Sequence, residues 1–240
     1  MSVAIVTGGG SGIGAALCGV LGESGYQIAV ADLDLSAAEM IAKECGGKPF
    51  KVDVGDEASV VALFASVHDA FGRLDALATP AGIADTTEFM DLSVERWMQV
   101  YRVNVVGTWL CIREAVKRMQ SGGRICTVAS VAGKRGGGLA GTAAYSASKG
   151  AVIALTRNAA RVFGPKGIAV NGVCPAGTAT PMGRQVMPTE EIVKQAIAAH
   201  PIGRLAEPKE IAEAIAWLLS PKSSFVLGEM LNVDGGVMMD

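Results

Sequence analysis

A short apolar run, Val3-Ala4-Ile5-Val6, passes directly into Thr7-Gly8-Gly9-Gly10-Ser11-Gly12-Ile13-Gly14, and no other stretch of the chain restricts its fold so tightly. The run suits a buried parallel strand. The apolar residues beyond Gly14 suit a helix, so the glycines fall in a strand-to-helix turn. Glycine permits positive φ and lets another group approach the backbone with no Cβ between them. The free N–H groups at the start of the next helix favour an anion such as a pyrophosphate. Gly10 to Ala15 also satisfies the general G-x-G-x-x-A dinucleotide fingerprint. The strand is expected to end at Thr7, however, which favours the register Thr7-Gly8-x3-Gly12-x-Gly14.

The same alternation continues along the chain. Strands are expected near residues 3–7, 27–31, 48–53, 75–79, 123–128, 168–174 and 230–233, with helical stretches between them. Strands alternating with helices imply right-handed crossovers and a parallel sheet covered on both faces. At 240 residues, half of them hydrophobic, the chain can bury a substantial core. No linker, repeat or low-complexity tract divides it, so residues 1–240 are expected to form one α/β domain.

Two groups of residues carry chemistry. The second strand, Gln27 to Ala31, is followed by Asp32. A carboxylate there accepts hydrogen bonds from a free ribose 2′-hydroxyl and repels a 2′-phosphate. Neither Gly9-Gly10-Ser11 nor Leu33 offers a compensating cation, so the expected cofactor is NAD rather than NADP. The competing structural role is that Asp32 or Asp34 caps the helix beginning near Ser36. Farther along, Tyr145 and Lys149 stand four residues apart, which on a helix puts both on one face. An ammonium beside a phenol favours the ionised form and draws its pKa down from about 10.

In this order the motifs resemble those of the short-chain dehydrogenase/reductase family over nearly the whole chain. The glycine turn matches Thr7 to Gly14, the Tyr-x3-Lys pair matches Tyr145 and Lys149, and the upstream serine matches Ser130. The mid-helix asparagine matches Asn104, the adenine-side aspartate Asp53, and the segment after the sixth strand Pro175 to Met182. The resemblance implies a single-domain Rossmann fold, a doubly wound seven-stranded parallel sheet with helices on both faces. It also implies an enzyme that moves hydride between a secondary alcohol or its ketone and a nicotinamide. Tyr145 would be the general acid/base, and Lys149 would lower its pKa and bind the ribose. Ser130 would polarise the carbonyl, and Asn104 would hold a proton-relay water. Gly8, Ser11, Gly12, Ile13 and Gly14 would bind the cofactor together with Asp32, Asp53, Val54, Ala81 and Gly82. Pro175, Thr178 and Thr180 would complete that surface with Tyr145 and Lys149. Residues 182–208 would form a lid over the substrate, and helices around 94–119 and 145–163 would support a homotetramer.

Three departures from the family pattern stand out. The family's Asn-x-Ala-Gly turn reads Thr79-Pro80-Ala81-Gly82 here, so Thr79 replaces the amide only in part and Pro80 lacks a backbone donor. Ala176 follows Pro175 where the family often has glycine, and Gly177 comes one place late. The connection from Ser130 to Tyr145 is longer than usual and carries Lys134-Arg135-Gly136-Gly137-Gly138.

A net charge of −2 with scattered positives gives no electrostatic case for nucleic acid. No apolar segment suits a bilayer span and the N-terminus enters the first strand directly, so a cytoplasmic protein is expected. The five cysteines lack C-x-x-C spacing and read as reduced thiols. His68 and His200 have no metal-ligand spacing and read as surface or packing residues, with no metal expected. In the lid, Val186, Met187, Ile192 and Ile197 suit an apolar pocket, whereas Arg184, Lys194 and Arg204 suit an anionic substrate. The expected substrate is a neutral secondary alcohol or ketone with an apolar body. The alternatives are a 3-oxoacyl-thioester (acyl-carrier-protein) reductase and a non-catalytic dinucleotide-binding sensor or scaffold.

Overall fold

The computed structural model describes residues 1–137 and 142–239. Gly138 of the long connection and the terminal Asp240 lie outside the described residues. Seven strands form one parallel sheet: β1 (Val3–Thr7), β2 (Gln27–Asp32), β3 (Lys48–Lys51), β4 (Leu74–Thr79), β5 (Met119–Val128), β6 (Ala169–Pro175) and β7 (Met230–Val233). Their order across the sheet is β3-β2-β1-β4-β5-β6-β7. The chain winds outward in both directions from β1 and β4, leaving a crevice at the strands' carboxyl ends where the order reverses.

All of β1 is buried, as a strand covered on both faces requires. Val3 and Ile5 face one core and Ala4 and Val6 the other. The first core packs against α3 (Glu57–Phe71), α5 (Gly107–Val116) and α7 (Ala143–Phe163), with Phe64, Leu110 and Ala159 inside it. The second packs against α1 (Gly12–Glu23), α2 (Leu35–Cys45) and α10 (Pro208–Leu219), with Leu17, Ala38 and Ile215 inside it. Each fully buried Leu or Ile contributes roughly 1.5–3 kcal/mol. Among the described residues, no helix is long and apolar enough to cross a membrane.

Two elements differ from the sequence expectation. β5 begins at Met119, which pairs with Leu74, and the register then shifts so that Ala76 pairs with Arg124. The glycines at 122 and 123, with Gly122 at φ +95°, admit that irregularity and obscure it in the sequence. The long helix expected near 94–119 is also interrupted. It runs as α4 (Val94–Tyr101), a π-helical turn over Arg102–Val106, and then α5. Gly107 N–H donates to Arg102 C=O five residues back, and the Asn104 carbonyl takes the Thr108 hydroxyl at 2.7 Å.

Candidate active site

The crevice holds a cavity of about 470 Å³ that runs from Asp32 to the start of α7. At one end its wall is backbone. The strand ends at Thr7 and α1 begins at Gly12, with Ser11 as its N-cap residue, as the Thr7-to-Gly14 register requires. Gly8 and Gly12 have φ +63° and +53°. A Cβ on Gly14 would sit 2.0 Å from the Gly8 carbonyl oxygen, and one on Gly8 would sit 2.8 Å from Ala81 Cα. Turn and helix thus close to a distance only glycine allows.

Asp32 stands at the end of β2 and lines the cavity. Its carboxylate accepts from Gly10 N–H at 2.9 Å and Asp34 N–H at 3.0 Å. The α2 cap is Asp34, which accepts from Ala37 N–H at 3.2 Å, so the capping role left open by the sequence falls to Asp34 and not to Asp32. Asp53 lines the cavity beside Val54 and accepts from Gly55 N–H at 2.8 Å. Ser11, Gly12, Ile13, Gly14, Ala81, Gly82, Pro175, Thr178 and Thr180 line it as well. Thr180 caps α8 (Pro181–Val186) and packs where a Cβ on Gly12 would meet its Cγ2 at 3.3 Å.

At the other end, side chains from three segments converge. Ser130 caps the short α6 (Val131–Arg135), accepting from Ala132 N–H at 3.1 Å, and lines the cavity with Tyr145. A Cβ on Gly133 would lie 2.6 Å from Gly150 N, so α6 lies directly on the α7 backbone and brings the two hydroxyls together. Tyr145 and Lys149 share the cavity face of α7, with Lys149 Nζ 5.7 Å from the Tyr145 ring centroid. Lys149 donates to the Val128 carbonyl at 2.8 Å. Asn104 Oδ1 accepts from Ile83 N–H at 2.9 Å, and its Nδ2 donates to Ile83 C=O and Ser148 Oγ, each at 3.0 Å. Gly82 is confined between Asn104 Oδ1 and Lys149 Nζ, which a Cβ would meet at 3.1 and 3.5 Å.

The electrostatics depart from the expected lowering of the Tyr145 pKa by Lys149. Burial raises the phenol above its ordinary value, and the Ser130 hydrogen bond only partly opposes it. Burial also pushes Lys149 down to about 8. A cation that itself loses solvent, and whose nearest partner is a carbonyl, does little to ionise its neighbour.

The departures have structural consequences. Thr79 does not replace the family's amide, because its hydroxyl is buried without a hydrogen-bond partner, as is that of Thr7 on the adjacent strand. Gly177 is required where it stands: a Cβ there would meet Leu205 at 2.8 Å and His200 at 2.9 Å. In the segment 182–208, α8 and α9 (Glu190–Ala198) bring Met182, Val186, Met187 and Ala196 to the cavity, whereas Ile192 and Ile197 do not line it. Arg204 is paired with Glu210 at 2.7 Å, and neither it nor Arg184 nor Lys194 lines the cavity. Arg135 does. Sequence reasoning missed His200 and Val237, which also line the cavity; Val237 lay in the apolar tail, but nothing in the spacing distinguished His200.

Comparison with known proteins agrees with this geometry. The family model described as enoyl-(acyl carrier protein) reductase matches residues 8–238. The 2,5-dichloro-2,5-cyclohexadiene-1,4-diol dehydrogenase of Sphingobium indicum is 41% identical over 239 residues, covering 97% of this chain and 95% of that protein. The cis-4-hydroxycyclohexanecarboxylate dehydrogenase of Sinomonas cyclohexanicum is 40% identical over 242 residues, covering 98% and 95%. A crystal structure from Brucella melitensis, described as a short-chain dehydrogenase/reductase of glucose/ribitol dehydrogenase type, superposes with a TM-score of 0.94 at 31% identity, covering 100% and 97%. With these relatives spanning both the glycine turn and the Ser130–Tyr145–Lys149 end of the crevice, the chain belongs to the short-chain dehydrogenase/reductase family.

Proposed function

We propose that the protein interconverts a secondary alcohol and its ketone with NAD(H), using Tyr145 as general acid/base. The observation that carries this assignment is that Ser130, Tyr145 and Lys149 line one cavity with a glycine-walled turn. The bound nicotinamide supplies the hydride acceptor or donor. Tyr145 takes the alcohol proton during oxidation and returns one to the carbonyl oxygen during reduction. Ser130 donates to that same oxygen as charge develops on it. Lys149 holds the nicotinamide ribose and keeps a cation near the phenol. Asn104 ties Ile83 to Ser148 beneath Lys149, a bracing role in addition to the relay-water role implied by the family.

NAD rather than NADP is supported by Asp32, which lines the cavity at the end of β2, where among the described residues no lysine or arginine lines the wall beside it. The substrate end is mainly apolar, with Ile83, Ala84, Val131, Met182, Val186 and Met187 along it. A neutral alcohol with a compact apolar body suits that wall, and two relatives carry names of six-membered-ring alcohol dehydrogenases. One observation favours a second reading, a ring alcohol bearing a carboxylate: Arg135 stands on the same wall. A homotetramer is supported by the exposed apolar side chains Met98 and Trp109 of the α4–α5 region and Val162 of α7, which a second copy would cover.

The test is initial-rate oxidation of NADH and NADPH against neutral, carboxylated and acyl-thioester ketones. NADH-dependent turnover of a neutral cyclic ketone is the expected result. An NADPH preference with acyl thioesters would replace it with the anabolic reductase, and turnover of carboxylated ketones alone would bring in Arg135.

A further inference from the structure

His200 lies within the lid segment, at the turn after α9. It is 6% exposed, in contrast to the chain's other histidine, His68, which is exposed on α3. Its ring bridges two segments. Nδ1 lies 2.6 Å from the Ala196 carbonyl oxygen, and Nε2 lies 3.1 Å from the Gly177 backbone nitrogen. A carbonyl can only accept and a peptide N–H can only donate. The imidazole must therefore be neutral, with its proton on Nδ1 and its Nε2 lone pair directed at Gly177.

The ring also rests on the Gly177 backbone, since a Cβ at that position would meet His200 Cε1 at 2.9 Å. On its opposite edge, His200 Cδ2 faces Gly235, whose Cβ would approach it at 3.4 Å, and Ile202 N–H donates to the Gly235 carbonyl at 3.1 Å. One side chain thus touches three stretches that wall the cavity: the strand-end loop Pro175–Thr178, the lid helix α9, and the C-terminal tail leading to Val237. His200, Gly177 and Val237 all line that cavity.

We propose that His200 is a positioning residue: by accepting from Gly177 and donating to Ala196, it locks the backbone beside the reaction centre to the lid, so that lid placement over the substrate also sets the loop that flanks the nicotinamide. This inference rests on the alcohol oxidoreductase assignment for what the cavity does. The displaced glycine follows from it, because a histidine seated on the loop leaves no room for a side chain at 177. Misplacement of a reacting pair by about 1 Å can cost a hundredfold in rate, so a contact remote from the chemistry can govern turnover.

The test separates the two hydrogen bonds. His200→Gln places an amide oxygen near the Nε2 position and keeps the acceptor for Gly177. His200→Asn places an amide N–H near Nδ1 and keeps only the donor to Ala196, and His200→Leu keeps neither. The expected result is a kcat for Gln within about threefold of the parent, a kcat for Asn and Leu roughly ten- to hundredfold lower, and NADH affinity little changed throughout. Equal losses in all three variants, in proportion to their loss of melting temperature, would reduce His200 to core packing and overturn the proposal. Independently of any substrate, histidine-selective ¹⁵N labelling gives signals from only two rings, His68 and His200. The Nδ1–H tautomer is expected for the buried ring, and an Nε2–H tautomer or a charged ring at neutral pH would overturn the proposal. Because the tautomer is read without turnover, a parent inactive on every ketone would count against the reaction and not against the histidine.

Discussion

The Asp32 end of the cavity is walled by backbone drawn from one contiguous stretch, Thr7 to Gly14, whereas the Tyr145 end is walled by side chains from segments scattered over two thirds of the chain. At the first end every decisive contact involves a peptide group: Gly14 against the Gly8 carbonyl, Gly8 against Ala81, and the amides of Gly10 and Asp34 donating to the Asp32 carboxylate. At the second, Ser130 meets Tyr145, Asn104 meets Ser148, and Asp85 meets Thr142. The contrast matches the tasks. A pyrophosphate needs a fixed array of N–H donors and close approach, which backbone supplies. Proton transfer to a particular oxygen needs groups of chosen pKa, which only side chains supply.

Substitutions at the two ends should therefore fail differently. The largest effect is expected for Gly14→Ala, where the new Cβ has no room at 2.0 Å from the Gly8 carbonyl. Loss of the native fold, or of NADH binding altogether, should appear in thermal melts and fluorescence titration. Normal binding would show that the turn is looser than the backbone wall described. Next, Ser130→Ala should lower kcat by about 10²-fold, the usual scale for losing one donor to a developing oxyanion. NADH affinity should remain unchanged in equilibrium titration, and a parallel loss of affinity would merge the two ends.

A smaller effect is expected at Asp85, which braces the start of α7. It is buried and takes Arg96 Nε at 2.9 Å, Thr87 Oγ1 at 3.0 Å and Thr142 Oγ1 at 2.8 Å, and Thr142 is the residue just before α7. Burial opposes ionisation of Asp85, but the hydrogen bonds from Arg96, Thr142 and Thr87 outweigh it and hold the carboxyl below its ordinary value. Its stabilisation is thus present above the unfolded carboxylate value of about 3.9 and lost as pH falls through the lower folded value. Asp85→Ala should cost about 2 kcal/mol at neutral pH, with the difference from the parent shrinking in acid; a constant difference in denaturant melts would contradict the assignment. Asp32→Ala should weaken NADH binding by about tenfold and narrow its advantage over NADPH. An unchanged cofactor ratio would remove Asp32 from the ribose site.

The mildest signature is pH. Oxidation requires Tyr145 ionised, so with burial holding the phenol above its ordinary value, kcat/KM for the alcohol should climb from neutral into alkaline solution. Reduction requires the neutral phenol and should decline over the same range. Lys149 loses its charge above about 8, which disfavours the ionised phenol and should temper both trends. Parallel profiles in the two directions would exclude Tyr145 as the shared proton carrier.

The contrast between the two ends also explains what was legible in the sequence. The glycine turn is local, and its spacing alone specifies Gly8, Gly12 and Gly14. Tyr145 and Lys149 are legible for the same reason, since both lie on one helical face. His200 is not: its partner Gly177 lies 23 residues away, and only the folded loop reveals why the glycine is one place late. The Asp85–Thr142 contact spans 57 residues. The π-helical turn around Asn104 is equally hidden, because Arg102 to Val106 has the composition of an ordinary helix. Thr79 shows the opposite failure, a conservative-looking replacement whose hydroxyl finds no partner once buried.

The most direct test of a backbone-built cofactor end serving a side-chain-built reaction end is Tyr145→Phe, measured by NADH titration and by single-turnover reduction of a ketone that the parent accepts. NADH should bind the variant within about twofold of the parent while hydride transfer falls by about 10³-fold or more. A variant that transfers hydride at the parent's rate would contradict the account, as would one that loses NADH binding and turnover together.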